Sequence, residues 1–65
     1  MPSEIVVDVM GMDWLVGQDW GFLLKLAERL SPHGVRLSMR ANRRVVRGGR
    51  ALGLDRWLGL IEGGA

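Results

Sequence analysis

The chain has 65 residues and a net charge of +2, and its 48% hydrophobic content is typical of a globular rather than a disordered protein. This length allows one domain, over residues 1–65, and such a small domain buries only about 60% of the surface that its unfolded chain exposes. The absence of cysteine excludes disulfides and thiolate zinc sites, and the single histidine cannot form a metal site alone. No apolar run approaches the roughly 20 residues that cross a bilayer, and the N-terminus lacks the basic start of a signal peptide. We therefore expect a cytoplasmic protein without membrane insertion.

The first strand is predicted in the apolar, β-branched segment Glu4–Met10, which is typical of a buried strand with a polar residue, Asp8, near its end. Trp14–Val16 then continues as a short extended stretch. Either Gly17 or Asp19 is suited to be the N-cap of the helix that follows.

A helix is predicted over Gln18–Leu30, because apolar residues recur there at spacings of three and four. The members of this apolar stripe are Trp20, Leu23, Leu24, Ala27 and Leu30. Phe22 and Leu26 widen it, so we expect the helix to be covered on much of its circumference. The segment Ser31-Pro32-His33-Gly34 ends the helix, since proline cannot continue it and glycine tolerates a left-handed turn.

The second half of the chain predicts a strand, a helix and a strand. Val35–Arg40 alternates between apolar and polar residues, which indicates a half-buried strand suited to a sheet edge. Asn42 is a good N-cap for a second helix, which Gly48-Gly49 should weaken or fray. Gly53 fits the end of that helix. A turn or short helix at Leu54–Trp57 and a last strand at Leu58–Glu62 complete the order.

This order predicts an α/β fold, a small βαβαβ sandwich of two or three layers with a short, mainly parallel sheet. Three strands leave two open edges, which a partner or a second copy of the chain could cover. We therefore expect association, including homo-oligomers.

The order of motifs from about Ile5 to Leu60 resembles the STAS domain of anti-sigma-factor antagonists. In that family a buried strand ends in an Asp-x-x-Gly-like segment, here Asp8-Val9-Met10-Gly11, and an aromatic-apolar stretch follows, here Met12-Asp13-Trp14-Leu15. A Gly-x-x-Leu strand comes later, here Gly34-Val35-Arg36-Leu37. The family's closing helix ends in Gly-Leu-Asp-Arg, which Gly53-Leu54-Asp55-Arg56 matches at every position.

Two departures from the family pattern affect what the resemblance implies. The family's Asp-Ser pair, whose serine is phosphorylated at the start of the first helix, falls here on Val16-Gly17. A STAS-like domain with this sequence is therefore expected not to switch by phosphorylation of that serine. The family also begins with a pair of strands that are not found ahead of Glu4 here. We therefore expect either a truncated domain or one whose missing strands are supplied by another copy or another protein.

The polar residues give no pattern of catalysis. Asp8, Asp13 and Asp19 resemble a carboxylate cluster, but a strand end, a turn and a helix start favour structural capping. His33 lies in a turn without a marked nucleophile, and the glycines lack the spacing of a phosphate-binding loop. We expect no enzyme activity, no cofactor and no metal.

Arginines concentrate on the second helix, where Arg43, Arg47 and Arg50 align along one face with Arg44 beside them. This face is either simply solvated, paired with an acidic protein partner, or bound to nucleic-acid phosphates. Between the two partners we favour protein, because the net charge is small and no nucleic-acid motif is present.

Three tryptophans offer apolar contact area. Trp20 lies on the apolar stripe and is predicted to be core. Trp14 is the better interface candidate, since tryptophan is enriched at binding hot spots, although core packing is the interpretation we favour slightly for it as well.

The leading hypothesis is a protein-binding domain that sequesters or scaffolds a partner. By resemblance, that partner is a kinase-type anti-sigma factor that docks on Asp13, Gly17, Gln18, Asp19 and also Lys25. Trp14 joins this surface as the tryptophan interface candidate. Asp19→Arg is then predicted to abolish binding while leaving the fold intact. The alternatives are a nucleic-acid-binding module that uses Arg43, Arg44, Arg47 and Arg50, and a minimal or fragmentary fold with no independent function.

Overall fold

The computed structural model describes residues 3–64, which form an α/β fold of three strands and two helices. The elements in chain order are β1 (Glu4–Asp8), α1 (Gly17–Leu30), β2 (Arg36–Ala41), α2 (Arg43–Ala51) and β3 (Gly59–Glu62), with 3₁₀ turns at Ser31–His33 and Leu54–Arg56. The predicted βαβαβ order is confirmed. No helix within these residues is long and apolar enough to cross a membrane.

The sheet is fully parallel, and its strand order is β1-β2-β3. β2 therefore lies in the centre, and the prediction that it is an edge strand is wrong. Its apolar and polar residues alternate because one face of the sheet is packed against the core and the other face is open. Leu37, Met39 and Ala41 are fully buried on one face, whereas Arg36 and Arg40 are exposed on the other.

Both helices pack on the same face of the sheet, which makes the fold a sandwich of two layers. A single core cluster joins residues of α1, β2, α2 and the start of β3, namely Trp20, Leu23, Leu37, Met39, Ala41, Val45, Val46 and Leu58. The strand register places another set of side chains together on the opposite face. This open face consists of Glu4, Val6 and Asp8 from β1, Arg36, Ser38 and Arg40 from β2, and Gly59 and Ile61 from β3.

β1 is shorter and more exposed than its sequence predicts. It ends at Asp8 rather than Met10, because the Asp8 carboxylate accepts the Met10 backbone N–H at 2.9 Å and turns the chain. Ile5 and Val6 are 40% and 49% exposed, so the prediction of a buried strand is wrong. An edge strand with one uncovered face has neighbours on only two of its four sides.

α1 matches the predicted range but not the predicted cap. Val16 is the N-cap, and Asp19, at the third helical position, accepts the Val16 backbone N–H at 3.0 Å. Trp20 and Leu23 are buried as predicted. Phe22 is 68% exposed, so its assignment to a widened apolar stripe is wrong. Gly34, with φ of 71°, follows the 3₁₀ turn and ends the segment as predicted.

α2 confirms its predicted N-cap and runs unbroken through both glycines. Asn42 Oδ1 accepts the Val45 N–H at 2.8 Å. Gly49 is buried, and a Cβ built on it lies 2.9 Å from Cη2 of Trp20 and 3.0 Å from Cδ1 of Leu60. The glycine therefore allows α1 and α2 to approach closely. Gly53, with φ of 75°, comes just after the helix end as predicted.

Candidate protein-binding surface

The predicted docking residues other than Lys25 lie at the carboxyl end of the sheet. In a parallel sheet the loops that follow the strands, and the starts of the helices that they enter, share this end. Here the end holds the loop after β1, the first turn of α1 and the first turn of α2. The amino ends of the strands, with His33 and Trp57, lie at the opposite end.

Asn42 connects the loop after β1 to the start of α2. Its Nδ2 donates to the carbonyl oxygens of Met12 and Asp13, at 2.9 and 3.2 Å, while its Oδ1 caps α2. One side chain therefore positions the loop and the helix together. The loop is held by main-chain acceptors, which leaves the neighbouring side chains free to face solvent.

An apolar surface surrounds the predicted polar residues. Trp14 is 59% exposed, so the prediction that this residue is core is wrong and its role as an interface candidate remains. Met12, Val16 and Phe22 are also exposed. We call this region the loop–α1 surface, and it consists of residues 12–18 and Phe22.

The remaining predicted docking residues differ in their environment. Asp13, Gly17 and Gln18 are exposed, and a Cβ built on Gly17 meets nothing within 4 Å, so this position can accept a side chain. Lys25 is exposed on the outer face of α1, two turns from Gln18. Asp19 is half-buried and bonded to the backbone at Val16.

Asp19→Arg is therefore not a clean test of docking. The substitution removes the acceptor for the Val16 N–H and places a positive charge in the first turn, where the helix dipole favours a negative one. Loss of this hydrogen bond leaves the Val16 N–H without its acceptor and destabilises the start of α1. We therefore expect Asp19→Arg to affect helix stability as well as docking, and exposed residues of the loop–α1 surface are better targets.

Phe22 is an exposed aromatic residue beside the predicted docking residues, and the sequence interpretation did not include it among them. It lies four positions after Gln18 and three before Lys25, on the polar side of the helical wheel. The stripe of Trp20, Leu23 and Ala27 already fills the sheet-facing side. A large aromatic residue that lies four positions after one polar residue and three before another, on the same helix face, was the available signal of an exposed contact.

The three N-terminal aspartates have separate local functions. Asp8 accepts the Met10 N–H and pairs with Arg40 Nη1 at 3.2 Å, whereas Asp19 caps α1. Capping is confirmed for these two residues. The side chain of Asp13 makes no hydrogen bond to any residue within 3–64, and its carbonyl oxygen binds Asn42. Across the same residues, no group of three His, Asp or Glu side chains is arranged to hold a metal ion.

The predicted arginine face is present on the outer side of α2. Arg43, Arg44, Arg47 and Arg50 are all exposed, and Val45, Val46 and Gly49 point inward. α2 carries no acidic residue, and the one salt bridge within the described chain joins Arg40 and Asp8. These four guanidinium groups therefore have no carboxylate partner there.

A shallow groove at the opposite end of the sheet was not predicted. It lies between the end of α1 and the second 3₁₀ turn, and Leu24, Ala27, Pro32 and Trp57 line it together with Glu28, Ser31 and Arg56. Trp57 is 67% exposed, and therefore offers an aromatic control far from the loop–α1 surface.

Comparison of the chain with protein families, with curated proteins and with solved structures finds no match.

Proposed function

We propose that this chain is a non-enzymatic protein-binding domain that docks a partner on the loop–α1 surface. The observation that carries the proposal is the exposure of Trp14, Val16 and Phe22 around the polar residues Asp13 and Gln18. Large aromatic residues surrounded by polar ones are typical of interface hot spots. Docking here makes and breaks no covalent bond, and it acts by sequestering or scaffolding the partner.

The position of the surface supports this function. Asn42 holds the loop through main-chain oxygens, so the loop is ordered before a partner arrives. A pre-organised surface loses less conformational entropy on binding than a mobile one does. Gly21, on the same exposed side of α1 as Phe22, leaves the helix surface flat beside the aromatic ring.

The resemblance to STAS domains narrows the class of partner. It implies a kinase-type anti-sigma factor in the cytoplasm, docked at the start of α1. Gly17 occupies the position of the family's phosphorylated serine, so binding by this chain is constitutive at that position. The resemblance rests on motif order, and the exposed aromatic residues support docking independently of it.

Replacement of Trp14 or Phe22 by alanine should weaken binding to a purified kinase-type anti-sigma factor by more than tenfold. Hot-spot aromatics commonly contribute about 2 kcal/mol or more when truncated, and both side chains are exposed enough for their loss to leave the core unchanged. Isothermal titration calorimetry measures the dissociation constants, and circular dichroism checks the fold.

Trp57→Ala is the matched control, since it removes a similarly exposed tryptophan at the other end of the sheet. Its affinity should remain within about twofold of the unsubstituted chain. Equal losses for Trp14→Ala and Trp57→Ala would contradict a docking site on the loop–α1 surface, and so would full affinity in both Trp14→Ala and Phe22→Ala.

The arginine face supports a second candidate function, the binding of nucleic-acid phosphates. The observation that favours it is the set of four exposed guanidinium groups without a carboxylate partner in the described chain. Guanidinium groups bind phosphate through two parallel hydrogen bonds. The small net charge of +2 disfavours this candidate relative to protein binding.

Salt dependence separates the two candidates. If α2 contacts phosphates, the affinity for a fluorescent 20-base-pair duplex should fall with a log–log slope of about −0.9 per contact, or roughly −3 to −4 for four arginines. Fluorescence anisotropy between 50 and 300 mM salt measures this slope. Arg43→Gln with Arg47→Gln should reduce it by about two units, whereas Arg29→Gln on α1 should not change it. Absence of duplex binding at 50 mM salt would eliminate the nucleic-acid candidate.

A further inference from the structure

The open face of the sheet combines an acidic row with a basic row. On β1, Glu4 and Asp8 point to this face, and on β2, Arg36 and Arg40 lie beside them at the same levels of the register. Asp8 and Arg40 form an ion pair at 3.2 Å, and Ser38 Oγ donates to Glu4 Oε2 at 2.7 Å. The face is therefore divided into a negative strand and a positive strand.

This face has no layer of the chain packed on it within residues 3–64. Val6 and Ile61 are exposed there, and the side chains of Asp8 and Arg40 are 59% and 45% exposed. Parallel sheets in proteins are almost always covered on both faces. The open face thus lacks the second cover that this sheet type ordinarily has.

We propose that the open face binds the open face of a second copy of the chain. Charge complementarity identifies this occupant. A twofold axis parallel to the strands, midway between β1 and β2, places β1 of each copy over β2 of the other. Rotation about such an axis does not change the position of a residue along the strand direction. Asp8 therefore faces Arg40 of the second copy, and Glu4 faces Arg36 of the second copy.

Other symmetric arrangements of the same face bring like charges together. An axis along β2 places the arginine rows of the two copies over each other, and an axis across the strands places β1 over β1. Packed sheets are about 10 Å apart, a gap that a short aspartate and a long arginine bridge together. The four charges of Asp8 and Arg40 in the two copies then alternate in sign as one network.

The dimer is expected to be weak and sensitive to salt. Three short strands give a face smaller than the roughly 800 Å² per partner that a stable interface buries. Exposed ion pairs are also screened by salt. Sedimentation equilibrium of the full chain should therefore show the mass rising toward twice 7.2 kDa between about 10 μM and 1 mM at 50 mM salt. The dimer fraction should fall in 500 mM salt.

A charge exchange tests the arrangement directly. Asp8→Arg and Arg40→Asp should each be monomeric over the same concentrations, because each variant brings four like charges together across the twofold axis. An equimolar mixture of the two variants should restore the dimer, since one copy is then positive at positions 8 and 40 and the other copy is negative at both. Circular dichroism should show both variants folded, because the Asp8–Arg40 pair is exposed and contributes little to stability. The Met10 N–H that loses its acceptor in Asp8→Arg lies in an exposed turn, where water can replace that acceptor.

Arg47→Asp is the matched control, since it reverses an exposed arginine on α2 and should leave the dimer intact. Monomeric unsubstituted chain at 1 mM and 50 mM salt would overturn the proposal. Dimers that persist in both single variants would also overturn it, because they would locate the interface elsewhere, and so would a mixture that stays monomeric.

Discussion

Met39→Ala should lower the free energy of unfolding by about 2–5 kcal/mol, one of the largest effects that we expect from a single substitution. Met39 is 0% exposed, lies at the centre of the middle strand, and belongs to the one core cluster. At about 0.05–0.15 kcal/mol per residue, a chain of this length has a total stability of roughly 3–10 kcal/mol. Loss of this side chain therefore removes a large part of the stability. Urea denaturation followed by circular dichroism measures the change.

Met12→Ala provides the same chemical change outside the core. Met12 is 40% exposed, and its backbone oxygen rather than its side chain binds Asn42. The free energy of unfolding should fall by less than about 1 kcal/mol, because a partly exposed side chain loses little burial. Similar losses for both variants would contradict the assignment of Met39 to a well-packed core.

The elements that the sequence predicted well are those specified by local chemistry. α1 carries a helical apolar stripe. Asn42 provides an acceptor for a free backbone N–H at the start of α2, and it does so regardless of where that helix packs. Gly34 and Gly53 have positive φ, which glycine adopts without strain. These signals depend on residues near in the chain, so they do not require knowledge of the tertiary arrangement.

The errors about the strands concern the position of each strand in the sheet. A β-branched run such as that in β1 is expected in a buried parallel strand, but its burial depends on whether strands lie on both sides. Similarly, the alternation of β2 indicates one covered face and does not distinguish a central strand from an edge. Ser38 illustrates this difference, since it is buried by its neighbours on the open face and not by the core.

The proposed docking surface was predicted in part from the sequence. Gly17 and Gln18 were identified through the family resemblance and Trp14 through the enrichment of tryptophan at interfaces, and all three are exposed at one end of the sheet. Phe22 was misassigned because apolarity was taken as evidence of burial. Burial of a residue in α1 depends on which face of the helix contacts the sheet, and Phe22 lies on the face that does not. The anchor residues of an interface are apolar for the same reason as core residues, so composition alone cannot separate them.

The glycine pair of α2 gives the second large prediction, in which one substitution has opposite effects at adjacent positions. Gly48→Ala should stabilise the chain by about 0.5–1 kcal/mol, because the site is exposed, helical and free of neighbours within 4 Å. Gly49→Ala places its Cβ against Trp20 and Leu60, and overpacking of this kind costs about 1–3 kcal/mol. Thermal unfolding of the two variants measures whether each substitution raises or lowers the stability.

The indole ring of Trp20 accounts for the closest contact, so a shorter ring should relieve part of the strain. Cη2 and Cζ3, at 2.9 and 3.3 Å from the added Cβ, belong to the outer ring of the indole that phenylalanine lacks. Trp20→Phe alone should destabilise the core, but Gly49→Ala should cost less in that background than in the unsubstituted chain. The double-mutant cycle should show a coupling of at least about 0.5 kcal/mol. Additive effects would mean that Gly49 is not required by the approach of α1, and that the helix tolerates a side chain there through movement of Leu60 alone.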